Sequence, residues 1–123
     1  MHLIIGGAYQ GKLDYAKENF NIGDSIHICK DVTIDFSKKC IYNVEDFTLA
    51  CVRAGIEAKD YFKEHSDEWK DSIIISTDIF CGVVPIDVDI RAMREMHGRL
   101  LVYLTKKADT VTRIFCGLGQ RLK

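Results

Sequence analysis

Two hydrophobic rhythms alternate along this chain. Leu3-Ile4-Ile5, a short apolar run, and Ser72-Ile73-Ile74-Ile75-Ser76-Thr77, a β-branched one, are of the kind buried on both faces of a parallel sheet. Elsewhere apolar residues recur about one helical turn apart. Leu13, Ala16 and Phe20 predict a helix over residues 12–20, stopped by Asn21 and Gly23. Phe47, Leu49, Ala50, Val52, Tyr61 and Phe62 predict one long helix over residues 45–65, with Gly55 as its weak point. Residues 25–29 and 39–44 read as further short strands, while residues 30–37 favour neither state. A loop over residues 79–86 holds the only proline, Pro85. Asp87 then serves as the N-cap of a helix bearing Ile90, Met93, Met96, Leu100 and Leu101 and ending near Ala108. Residues 110–116 give a last strand, closed by Gly117-Leu118-Gly119.

Strands alternating with helices imply an α/β fold, with a mostly parallel sheet of about five strands and helices on both faces. The 123 residues suit one domain, spanning residues 1–123. Apolar residues at 47% and charged residues at 28% are ordinary for a packed globular protein. With 17 basic against 18 acidic residues, there is no cationic surplus for nucleic acid or an anionic membrane. No stretch approaches the roughly 20 apolar residues of a membrane span, and the start lacks a signal-peptide pattern, so the cytoplasm is the expected location. Five scattered cysteines form no C-x-x-C pair. Those in apolar contexts, including Cys29, Cys51 and Cys116, are expected to be buried thiols. Cys81 falls in the proline loop.

In such folds ligands collect beyond the carboxyl ends of the strands. After the first strand comes Gly6-Gly7-Ala8-Tyr9-Gln10-Gly11-Lys12, with the G-x-x-x-x-G-K spacing between a strand and a helix. That arrangement lets backbone N–H groups and a helix N-terminus surround phosphate oxygens, with Lys12 against the outer phosphates. The motif normally continues with Ser or Thr, a Mg²⁺ ligand; here Leu13 stands there. The segment from Gly6 to Leu13 is therefore the candidate nucleotide site: Gly6, Gly7, Ala8, Tyr9, Gln10, Gly11, Lys12 and Leu13.

These residues resemble the adenosylcobinamide kinase / adenosylcobinamide-phosphate guanylyltransferase family of cobalamin biosynthesis, whose loop reads G-G-A-R-S-G-K-S. A second block, Ile73 through Thr77 followed by Asp78-Ile79-Phe80-Cys81-Gly82-Val83-Val84-Pro85, is similar to the family's strand and its N-E-V-G-x-G-I-V-P. Gly98-Arg99-Leu100 and the tail from Gly117 to Lys123 also resemble it. The resemblance implies a P-loop NTPase-like fold, ATP or GTP as phosphoryl donor, Mg²⁺, adenosylcobinamide as acceptor, and a homo-oligomer. Two departures bear on activity. The family's guanylylated histidine has no counterpart over residues 30–39, and His27 falls inside a strand. Its acidic residue after the third strand aligns with Asn43. Lys12 and Asp78 are thus the expected catalytic pair, with Asp46 and Asp78 as expected metal ligands and Glu45 a further candidate. Arg91, Arg94 and Arg99 suit a solvated helix face, a phosphate or a neighbouring subunit. The cluster from Glu64 to Glu68 suits a surface turn, and Trp69 suits packing.

Overall fold

The computed structural model describes residues 1–78 and 87–123. Along the chain run β1 (His2–Gly6), α1 (Lys12–Asn19), β2 (Ile26–Ile28), β3 (Cys40–Tyr42), α2 (Val44–Ala54), α3 (Ala58–Glu64) and α4 (Ser66–Trp69). Then come β4 (Ile73–Thr77), α5 (Val88–Lys107), β5 (Thr110–Phe115) and β6 (Leu118–Arg121). The strands form one six-stranded sheet in the order β2-β3-β4-β1-β5-β6. β2, β3, β4, β1 and β5 are parallel, and β6 returns antiparallel to β5.

Register explains the continuous apolar runs. Leu3 pairs with Ile74 and Val111, and Ile74 with Ile41, so these four share one face. They belong to a buried cluster with Phe47, Phe62, Leu100 and Leu104 of α2, α3 and α5. On the opposite face Ile4, Ile73, Ile75 and Ile114 pack with Ala16 of α1. Each central strand has helices over both faces, so neither side of its pleat can be polar.

The long helix expected over residues 45–65 is two helices and a further short turn of helix. Gly55 takes the left-handed conformation at φ 72°, its N–H reaches the Cys51 and Val52 carbonyls, and the Ile56 N–H donates to Cys51 O at 2.9 Å. That pattern is a glycine helix stop followed by an apolar residue, and it overrides the periodicity continuing beyond it. β6 was not expected: Cys116 (φ 49°) and Gly117 (φ 78°) turn the chain back along β5. Exposed on that turn, Cys116 departs from the buried reading. Cys29, Cys40 and Cys51 are buried, and burial pushes each thiol up to about 12. Asp87 caps α5 as expected, its Oδ1 accepting from Ile90 N at 3.1 Å. The loop over residues 79–86, with Cys81 and Pro85, lies outside the described residues. Among the described residues no helix is long and apolar enough to cross a membrane.

Candidate functional site

β1 lies between β4 and β5, so its carboxyl end opens at the centre of the sheet edge. There the connections diverge: α1 leads from β1 towards distant β2, whereas α5 carries the chain from β4 across β1 to β5. Diverging connections leave a crevice above the strand ends. A cavity of about 540 Å³ occupies this position, lined by residues 8–14 together with Tyr42, Asn43 and Thr77.

Glycine is demanded at two points of the loop. A Cβ on Gly6 would stand 2.6 Å from the Ile114 carbonyl oxygen, because β1 and β5 meet closely where the strand ends. Gly11, at φ 87°, is the N-cap of α1, in the left-handed region that L side chains seldom enter. Tyr9 also has positive φ, 58°, and its side chain is fully exposed. Gln10 anchors the loop to the β5–β6 turn: its Oε1 accepts from Cys116 N at 2.6 Å, and its carbonyl accepts from Gly117 N at 2.9 Å.

The loop's carbonyls serve its own structure. Gln10 O and Gly11 O accept backbone bonds, and Gly7 O accepts from Lys12 Nζ at 2.7 Å. No backbone N–H of residues 8–14 donates to an acceptor among the described residues. Lys12 is 6% exposed as a residue, although the Nζ–Gly7 contact is only partly buried. Burial lowers the Lys12 ammonium below the usual lysine range, and the Glu45 carboxylate opposes that shift.

Among the carboxylates the structure separates neighbours. Glu45 Oε1 accepts from Thr77 N at 3.1 Å, bringing it to the end of β4, and its charge acts on both Lys12 and Tyr42. Asp46 instead lines a second cavity with Lys30, Asp31 and Arg53; burial, then the charge of Glu45, raises its carboxyl. It does not line the loop cavity. Asp78 follows β4, half-buried, with its N–H on Gly6 O at 2.6 Å. Asp14, Tyr42 and Thr77 line the cavity without having been singled out from the sequence. Asp14 carried a usable signal, since a carboxylate in a helix's first turn lies beside any ligand at that helix's N-terminus. Asn43 is the single left-handed residue, φ 61°, between β3 and α2, a conformation that suits asparagine.

The other candidates fall elsewhere. His27 is in β2, its Nε2 buried without a partner among the described residues. Arg99 holds Glu57 through two bonds of 3.1 and 3.0 Å. His65 contacts Glu68, and Trp69 is buried, with Nε1 donating to Phe62 O at 2.7 Å. Fold and site together define an α/β protein with a glycine loop at the carboxyl end of a central parallel strand. No family model and no curated protein matches the chain.

Proposed function

We propose that the chain is a P-loop NTPase-like protein that binds ATP or GTP by its phosphates in the loop from Gly6 to Leu13. The observation that carries this reading is the set of backbone N–H groups of residues 8–14 with no acceptor among the described residues, on a loop that lines one cavity with Lys12. Phosphate oxygens would accept from these donors at the positive end of α1, and the Lys12 ammonium would exchange the Gly7 carbonyl for an anion. A lysine whose charge is disfavoured by burial gains from a dianionic partner. Tyr9 adds support, because backbone strain persists where surrounding structure compensates it, often at ligand sites.

The activity we assign from the resemblance is adenosylcobinamide kinase-like phosphoryl transfer. Lys12 would stabilise charge on the phosphoryl oxygens, and Asp78 would receive the acceptor hydroxyl's proton. Mg²⁺ fits an oxygen-rich setting of Asp14, Asn43, Thr77 and neighbouring Asp78, since this ion is commonly held by one or two carboxylates plus phosphates. When bound, it would neutralise charge developing on the phosphate oxygens. Asp46, the other expected ligand, lines the second cavity and not the loop cavity. A cytoplasmic location and a homo-oligomer accompany this assignment. Leu13 favours a second reading, a catalytically silent nucleotide-binding partner subunit, because an alkyl side chain offers no metal ligand.

Isothermal titration calorimetry with ATP and GTP, each with and without Mg²⁺, and with Lys12→Ala as control, tests the proposal. Binding strengthened by Mg²⁺ and weakened in the variant supports the kinase reading, and phosphate transfer to adenosylcobinamide then measures the activity. Metal-independent binding selects the silent subunit. No binding under any condition overturns both.

A further inference from the structure

We infer that His97 is a positioning residue that ties α2 to β4 and so holds Glu45 and Thr77 at the edge of the loop cavity. This inference rests on the phosphate-site reading. His97 is fully buried in the middle of α5, in the apolar stripe of Met93, Leu100 and Leu104, where a leucine would satisfy packing alone. Instead its imidazole spans two elements. Nδ1 lies 2.8 Å from Thr48 Oγ1 on α2, and Nε2 lies 2.7 Å from Ser76 Oγ on β4. A neutral ring has one donor and one acceptor nitrogen, so one hydroxyl donates to it and the other accepts from it, and the accepting hydroxyl keeps its proton for its own carbonyl, Val44 O at 3.3 Å from Thr48 Oγ1 or Thr77 O at 3.2 Å from Ser76 Oγ. The ring's particular contribution is therefore the bridge.

The bridge closes on the site. Thr48 stands one helical turn beyond Glu45, and Ser76 immediately precedes Thr77. Thr77 N donates to Glu45 Oε1 at 3.1 Å. The circuit thus runs from the imidazole through Ser76 to Thr77, across to Glu45, and along α2 through Thr48 back to the imidazole. Thr77 lines the loop cavity, and Glu45 is the charge that acts on Lys12. A buried polar network satisfied at each end selects one arrangement of its elements, whereas an apolar contact permits small slips.

The test uses the full chain as wild type, His97→Leu and His97→Gln, with amide hydrogen exchange by NMR beside calorimetry with ATP. In folded His97→Leu the Thr77 amide is expected to exchange about tenfold faster while Ile74 and Ile75 are unchanged, and the ATP Kd to rise about five- to tenfold, the scale of one lost hydrogen bond. His97→Gln, retaining a donor and an acceptor, should recover most of both. Unchanged Thr77 exchange and Kd would overturn the inference, as would uniform acceleration along β4, which marks general loosening. Should His97→Leu fail to fold, Thr48→Val and Ser76→Ala each remove one end of the bridge and are held to the same criteria. If wild type binds no ATP, the phosphate reading falls, and Thr77 exchange still decides whether His97 braces the Glu45 contact.

Discussion

The loop after β1 and the cluster around His97 are both polar groups set in an apolar framework, and they treat hydrogen bonds oppositely. Around His97 both ring nitrogens and both hydroxyls find partners inside the protein. In the loop, the carbonyls of Gly7, Gln10 and Gly11 are engaged, and the amides of residues 8–14 have no acceptor among the described residues. Buried polar groups are satisfied almost without exception, so a saturated cluster answers to the fold. A run of donors beside a cavity, without acceptors among the described residues, suits a ligand that brings its own oxygens. That contrast separates the structural polar site from the binding site more sharply than residue type, because histidine is the commoner catalytic residue and backbone amide the less conspicuous one.

Substitutions can break either side of the comparison. Gly6→Val should act most strongly, since even a Cβ would sit 2.6 Å from the Ile114 carbonyl, against backbone that cannot swing aside. Overpacking of this kind costs about 3 kcal/mol, and a urea melt should register the loss with or without nucleotide. Acid should act on the other side. Burial lowers His97 from 6.5 to about 4, so the folded state prefers the neutral ring. Its contribution is complete above pH 6.5 and is lost as the pH falls towards 4, by about 3 kcal/mol over that window. Urea midpoints at intervals of pH should show this decline in the wild type and a shallower one in His97→Gln.

Lys12→Ala should leave stability near that of the wild type and weaken ATP binding by about 2 kcal/mol, or roughly thirtyfold, as expected for losing a charged hydrogen-bond donor. A calorimetric titration gives that ratio directly. Gln10→Ala removes the Oε1 bond to Cys116 N and frees the loop from the β5–β6 turn. An affinity loss of about 1 kcal/mol is expected, with faster exchange at the Cys116 amide. The smallest effect is reserved for Arg99→Ala. Its pair with Glu57 is half-exposed and belongs to neither region, so thermal unfolding should report a change of about 0.5 kcal/mol or less, with ATP affinity unaltered.

Local chemistry made much of this legible from the chain alone. The triple isoleucine of β4, the strand running into Gly6-Gly7 and the Asp87 cap each depend on neighbouring residues, and each falls where the sequence pattern puts it. Gly55 was legible as a weak point, but not as a stop. What decided it was the pair of carbonyls reaching back from Cys51 and Val52, and the apolar Ile56 that follows. β6 escaped because Leu118-Gly119-Gln120-Arg121 has little apolar content; it becomes a strand by pairing with β5 after a tight turn. His97 escaped for the opposite reason, lying within an apolar stripe where a polar residue carries no periodic signal.

From its sequence, this protein's apolar strand runs, the Asp87 cap and the glycine spacing of its loop could be determined, because each is an interaction among residues a few positions apart. Tertiary structure alone decided that Glu45 reaches Thr77 at the end of β4 while adjacent Asp46 lines another cavity. It also decided that Thr48, Ser76 and His97 meet although far apart in the chain. Neighbours on a helix point about 100° apart, and which of them meets the site depends on how that helix lies on the sheet.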